Sequence, residues 1–242
     1  MSSDSCMGEA DRGVNSRSGA DNSAQVGTSP FAGEFKGIGW NCQSLYAYDQ
    51  LHTQRHIADI FGQHDFICLT ETRETAERKA ALGHTILSLG LYASSFLDAH
   101  KGGIALIVKH SFLSHFDEVV LGRDWTPLVK GRLGRLSLRG RLGLLDIYVV
   151  YLDPSDTKAQ ISAINVLSCS INHQAHSVIV GDYNFVESNA DRFIKQSRSW
   201  SMGDDLKVAA SWTECITAKG FKEWTQQELT HVYSSFTRRT IF

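Results

Sequence analysis

Ser177–Glu187, SVIVGDYNFVE, decides how this chain reads. Val178, Ile179 and Val180 are a short β-branched apolar run, the composition of a buried strand. Gly181 is expected to break that strand, leaving Asp182 and Asn184 outside its C-terminal end, where α/β folds gather functional groups. A carboxylate there can take a proton from water or hold a cation, and an amide can donate to an anionic oxygen without adding negative charge. Taken alone, the stretch reads equally well as a strand followed by an Asx-rich turn. Other strand ends decide between the two.

Upstream, Val129–Leu152 reads as a hairpin. Leu136 and Leu138 alternate with Arg135, Ser137 and Arg139, and the connection falls at Gly140–Gly143. The return strand, Leu144–Leu152, ends at Tyr151 and Asp153. Ser155 or Asp156 caps the following helix, where Ile161, Ile164 and Leu167 share a face. Further upstream, FKGIGWN (35–41) is a strand ending in Asn41, Leu51–Phe61 is a helix stopped by Gly62, and DFICL (65–69) is a strand left through Glu71. Strand, helix, strand suggests a crossover unit with Asn41 and Glu71 at corresponding ends. Gly102-Gly103 is a turn or bulge feeding a strand over Ile104–Val108. Downstream, Asp205 caps a helix with Val208, Trp212 and Ile216 inward and Gly220 as its stop.

The 242 residues suit one domain with a full core. Residues 1–32, rich in Ser, Gly, Asp and Asn, are expected to be a disordered tail, and 33–242 the folded domain. The formal net charge of −2 gives no argument for nucleic-acid binding by bulk charge, so an anionic substrate has to be held locally. The five cysteines are scattered without a CxxC pair, which argues against a zinc ribbon or a disulfide framework. With no signal-peptide pattern and no membrane-length apolar run, the expected setting is intracellular, nuclear or cytoplasmic, without membrane contact.

Four apolar strands thus end in Asn41, Glu71, Tyr151, and Asp182 with Asn184. Glu71 and Asn41 offer hard oxygens for Mg²⁺, with Mn²⁺ as a substitute. Asp182 is the candidate base, and Asn184 and Tyr151 are neutral donors. The set suits attack of water on a phosphodiester, where charge gathers on phosphate oxygens. Lys130, Arg132, Arg135, Arg139 and Arg141 could contact a nucleic-acid backbone, but a solvated hairpin face is favoured. Cys42 and Cys68 are read as packing residues.

GWNCQSL (39–45), DFICLTETR (65–73), KGGIALIVK (101–109), YVVYLDPSD (148–156) and VIVGDYNFV (178–186), in that order, resemble the endonuclease/exonuclease/phosphatase family, the deoxyribonuclease I-like fold. The resemblance runs from about Phe35 to Phe242. Within the family the chain looks most like the apurinic-type endonucleases of non-LTR retrotransposons, through Ala190-Asp191-Arg192 and GFKEWTQQELTH (220–231). The resemblance implies a four-layer α/β sandwich of two mainly antiparallel sheets flanked by helices, with mixed or antiparallel pairing in place of the crossover. It implies metal-site positions at Asn41 and Glu71, a phosphate contact at Tyr151, water activation at Asp182, transition-state stabilisation at Asn184, and DNA as substrate.

The family pattern continues with Ser-Arg-x-Asp and Ser-Asp-His segments that do not occur here, and His231 sits in a different context. A domain incomplete at its C-terminus is therefore expected. Two rival readings follow: a non-catalytic retroelement remnant, and another branch of the family such as a lipid or inositol phosphatase or a deadenylase.

Overall fold

Alternation along single strands builds the architecture. In a strand, successive side chains point to opposite faces. Phe66 and Cys68 face one way and Ile67 and Leu69 the other, and all four are fully buried. A strand buried on both faces must have a layer on each side. The computed structural model describes residues 29–46, 50–80, 84–98, 100–185, 193–194, 199–200 and 206–222.

The elements run β1 (Gly37–Asn41), α1 (Gln50–Gln63), β2 (Phe66–Thr70), α2 (Ala76–Ala80), α3 (His84–Leu89), β3 (Gly90–Ser95), β4 (Ile104–Lys109), α4 (His110–Leu113), α5 (Leu121–Asp124), β5 (Trp125–Val129), β6 (Leu133–Gly140), β7 (Gly143–Tyr151), α6 (Thr157–Ser170), β8 (His176–Asp182), β9 (Phe193–Ile194), β10 (Ser199–Trp200) and α7 (Leu206–Ala218). Among the described residues they form two four-stranded sheets, ordered β1-β2-β4-β3 and β5-β6-β7-β8, and a small β9–β10 ribbon. Each four-stranded sheet has two antiparallel pairings and one parallel pairing, β1 with β2 and β7 with β8.

The sheets pack face to face. Phe66, Cys68, Leu106 and Val108 of one meet Leu136, Ile147, Val149, Val178 and Val180 of the other. On the outer face of the first sheet, Ile67, Leu69 and Ile107 pack against Ile57 and Phe61 of α1 and Ile86 of α3. On the outer face of the second, Tyr148, Val150 and Ile179 pack against Ile164 and Leu167 of α6 and Val208 and Trp212 of α7. The result is the expected four-layer α/β sandwich of mainly antiparallel sheets. Each fully buried Val, Leu or Ile contributes about 1.5–3 kcal/mol, so a one-residue slip that exchanges the faces is strongly disfavoured.

Several local expectations change. β1 and β2 pair in parallel with α1 as the crossover, so the local reading of strand, helix, strand holds for this pair and antiparallel pairing does not. Gly62 lies inside α1 rather than stopping it. A glycine in the last turn costs at most about 1 kcal/mol, too little to end a helix whose Ile57 and Phe61 are buried. Gly181 does not break β8. It pairs with Val150, and a Cβ there would run into the Val150 carbonyl oxygen, so glycine is needed for close approach to β7. The hairpin turn is Arg141-Leu142, between the paired Gly140 and Gly143. Asp156 is the cap of α6, its carboxylate accepting from the Ala159 N–H at 3.0 Å.

The tail expected over 1–32 lies outside the described residues except for 29–32, which belong to the fold. The Phe31 N–H donates to the Leu144 carbonyl at 2.9 Å, and the Phe31 ring packs on Phe35, Phe112 and Phe116. Asp205, Ala190-Asp191-Arg192, His231 and the chain beyond Lys222 lie outside the described residues. No helix among the described residues is long and apolar enough to cross a membrane.

The basic residues on and beside β6 are not a uniform solvated face. Lys130, Arg139 and Arg141 are exposed, whereas Arg132 and Arg135 are half-buried. Arg135 donates to the Ser170 carbonyl at the C-terminal end of α6 at 3.2 Å, and Arg132 donates to Asp153 at 2.5 Å. Cys42 and Cys68 are buried, as expected, and burial pushes the Cys42 thiol up to about 12.

Candidate active site

Strand parity carries the candidate residues to one place. Asn41 is the register partner of Thr70 at the last pair of β1–β2, and Tyr151 is the partner of Asp182 at the last pair of β7–β8. Tyr151 and Asp182 follow Ile147, Val149, Val178 and Val180 at two-residue spacing, so they are the last members of the inward-facing rows. A parallel pair sets two strand C-termini side by side, whereas an antiparallel pair cannot. Each sheet has one such pair, and β1 packs against β8. The C-terminal ends of β1, β2, β7 and β8 therefore meet at one mouth of the space between the sheets.

The side chains engage directly. Asn41 Nδ2 donates to Glu71 Oε1 at 2.8 Å and to Asp182 Oδ2 at 2.6 Å. Its Oδ1 accepts the Gln43 N–H at 3.1 Å. Asn41 is thus a clamp, one amide holding two carboxylates that would otherwise repel. Arg73 forms a 3.4 Å ion pair with Glu71 Oε2. The Leu152 N–H donates to the Asp182 carbonyl at 2.9 Å, fixing the last turn of chain beside β8.

Tyr151 is buried, and its phenol is pushed well above the ordinary value. Burial is the first cause; the charges of Glu71, Asp153 and Asp182 add to it, and Arg132 opposes them. Tyr151 therefore stays protonated as an O–H donor. The Arg132 guanidinium lies 5.1 Å from the centre of its ring. Asn184 lies two residues beyond Asp182, and its Nδ2 is buried without a partner among the described residues. A buried N–H donor without an acceptor is rare in proteins, and at a strand mouth it suits an anionic ligand.

The backbone is strained here. Among the described non-glycine residues, Gln43, Ser44, Glu71, Arg73 and Asn184 have left-handed φ, of 50°, 107°, 55°, 49° and 50°. All five lie in the segments that leave β1, β2 and β8. Each such residue costs about 1–3 kcal/mol, and strain of this kind concentrates at functional sites. The segment carrying Glu71 is held by Gly102-Gly103: the Thr72 N–H donates to the Gly103 carbonyl and the Arg73 N–H to the Gly102 carbonyl, at 3.2 and 3.0 Å. A Cβ on Gly103 would run into Thr72 Oγ1, and both glycines have positive φ, so this approach needs the glycine pair.

Sequence reasoning missed two neighbours of the site, Arg73 on Glu71 and the buried Glu74, and placed Arg132, which lies beside Tyr151, on a solvated hairpin face. TETRET reads as a polar loop, and nothing in its spacing marks Glu74. Among the described residues no group of three or more His, Cys, Asp and Glu is arranged to hold a metal ion. The donors present are hard carboxylate oxygens, which fit a Mg²⁺ ion that keeps most of its shell as water. A cavity of about 610 Å³, lined in part by Gly37, His176, Trp212 and Phe221, lies at the other end, where β1 and β8 begin, and takes no part in this site.

A model of the Endonuclease/Exonuclease/phosphatase family matches residues 38–241. In overall structure the chain is similar to an AP endonuclease from Archaeoglobus fulgidus, with 16% identity and a TM-score of 0.53 over 76% of this chain and 71% of that one. It is also similar to an AP endonuclease from Leishmania major, with 16% identity and a TM-score of 0.58 over 76% and 66%. A third is a 3′ phosphatase from Neisseria bound to a product DNA hairpin, with 15% identity and a TM-score of 0.52 over 75% and 71%. At these identities the likeness bears on the fold alone. A search of curated proteins found no match.

Proposed function

The chain belongs to the endonuclease/exonuclease/phosphatase family, and from that membership we propose that it hydrolyses phosphodiester bonds of DNA in a Mg²⁺-dependent reaction. The observation that supports this most is the Asn41 clamp, which sets Glu71 against Asp182 beside the Tyr151 phenol. Packing alone does not explain two carboxylates placed together at a strained strand mouth.

In this reading Glu71 holds the metal, with Asn41 beside it. The ion, when bound, supplies positive charge against the charge that builds on the phosphate oxygens. Asp182 orients the attacking water and takes its proton. Its placement suits that work: it is the last rung of the β7–β8 ladder, its carbonyl accepts the Leu152 N–H and one carboxylate oxygen is tied to Asn41, so little reorganisation is needed. Tyr151 donates its O–H, and Asn184 its buried Nδ2–H, to phosphate oxygens. Arg132 lies over Tyr151 and bonds Asp153, which steadies the ring.

DNA is favoured as substrate because two of the similar structures are AP endonucleases and the third holds a DNA hairpin. Kinship with retrotransposon endonucleases rests on Ala190-Asp191-Arg192 and on 220–231. The test is nicking of supercoiled plasmid by the purified chain, with and without Mg²⁺. Metal-dependent nicking that disappears in Asp182→Asn is expected. Nicking that survives in Asp182→Asn, or in the presence of excess chelator, would overturn the reading.

A further inference from the structure

Glu74 is fully buried, yet it is a carboxylate, and the hydroxyls that bond it are not part of the Asn41 clamp. It accepts from the Tyr92 hydroxyl, from Ser94 Oγ at 2.6 Å and from the Tyr46 hydroxyl at 3.3 Å. Burial first, and then the charge of Glu74, push the Tyr46 and Tyr92 phenols up, so both remain donors. Lys79 Nζ donates to Ser94 Oγ at 2.8 Å and lies over the Tyr92 ring at 5.7 Å. The Arg78 guanidinium lies 5.8 Å from the Tyr46 ring centre and donates to the Arg73 carbonyl at 3.0 Å.

These partners come from three places. Tyr46 is in the segment leaving β1, Tyr92 and Ser94 are on β3, and Glu74 ends the strained turn that begins at Glu71. One carboxylate thus ties two of the three strained segments, those leaving β1 and β2, to the rigid sheet. A buried charge is a poor device for stability, since well-packed apolar residues often do as well or better. What a three-donor carboxylate adds is a fixed geometry.

We propose that Glu74 is a positioning residue that holds the Glu71 carboxylate in its metal-binding orientation through the 71–74 turn. The inference rests on the reading of Glu71 as the metal-holding group. Glu74 itself touches neither the metal nor the substrate.

The test uses the full chain as wild type, Glu74→Ala, Glu74→Gln and Tyr92→Phe. Two quantities are read: Mn²⁺ affinity by water-proton relaxation without substrate, and the half-activating Mg²⁺ concentration in plasmid nicking, set against the rate at saturating metal. Glu74→Ala is expected to weaken Mn²⁺ binding and to raise the half-activating Mg²⁺ at least tenfold, while the rate at saturating metal falls much less. Glu74→Gln, which keeps an acceptor for the hydroxyls, should recover most of the affinity. Tyr92→Phe keeps the packed ring and removes one donor, so it should shift both quantities the same way by a smaller factor, and it carries the test should Glu74→Ala fail to fold. Wild-type Mn²⁺ affinity in Tyr92→Phe, or in a folded Glu74→Ala, would overturn the role of Glu74 alone. A wild-type chain that neither binds Mn²⁺ nor cleaves with metal would overturn the reading of the site, and the role of Glu74 with it.

Discussion

Asn41 and Asp182 are 141 positions apart in the chain and belong to different sheets, yet the amide of one donates to the carboxylate of the other at 2.6 Å. The same amide nitrogen holds Glu71 at 2.8 Å. One neutral side chain thus stands between the two carboxylates on which the proposed chemistry depends.

Removing that clamp leaves two largely buried carboxylates facing each other with a donor lost. Asn41→Ala should destabilise the metal-free protein by about 2–3 kcal/mol, the scale for hydrogen bonds to charged groups. Urea unfolding in chelator measures it. An unchanged midpoint would show that the clamp contributes nothing to folding.

Mg²⁺ should protect the wild-type protein from thermal unfolding, because a ligand that binds only the native state raises its stability. The protection should be modest, since one carboxylate leaves most of the coordination shell to water. Glu71→Gln should abolish it. Equal protection of the two proteins by Mg²⁺ would remove Glu71 from the metal site.

Asp182→Asn keeps the shape and the place in the β8 ladder but removes the base. Metal-dependent nicking should fall about 10²–10⁴-fold, with circular dichroism and thermal midpoint close to wild type. A loss of activity that tracks a loss of fold would mean that Asp182 acts structurally.

Asp146 is buried on β7, and burial raises its carboxyl above the ordinary value of 3.8 against the opposing pull of Ser137, Arg135 and Tyr148. A raised carboxyl means that the native state keeps its proton to higher pH than the unfolded chain does. Its contribution to stability is therefore full below that ordinary value and is lost as pH rises through the raised one. Asp146→Asn removes this dependence. Its melting temperature relative to wild type should rise as pH climbs from about 3.5 and level off once pH passes the raised value, and a difference constant from about pH 3.5 to pH 7 would refute the assignment.

Gly181→Ala should cost about 1–3 kcal/mol, the scale of overpacking, because the new methyl meets the Val150 carbonyl oxygen. Nicking should drop in parallel, since the displaced strand end carries Asp182. A neutral substitution in a thermal melt would show that β8 can move away from β7 without loss.

Much of the site is legible in the chain read by itself. The apolar runs before Asn41, Glu71, Tyr151 and Asp182 mark strands, and a polar residue straight after such a run marks a strand end. Both signals are local, carried by burial preference and chain direction. The alternation of Leu136 and Leu138 with arginines likewise marks a hairpin with one apolar face. The parity that turns Asp182 inward is not among these signals, because it holds only when β8 runs on through Gly181.

Tertiary structure decided the rest. Gly181 is a turn signal in sequence, but β7 approaches so closely that only glycine fits, and the strand runs on through it. Arg132 and Arg135 look like a solvated face until Asp153 pairs with the first and the Ser170 carbonyl at the end of α6 accepts from the second. Glu74 carries no local mark, because its partners Tyr46, Tyr92 and Ser94 lie 28, 18 and 20 positions away. Which ends meet depends on the one parallel pair in each sheet, and on β1 packing against β8. Those are long-range pairings, set by the burial of whole faces, and no single segment of the chain encodes them.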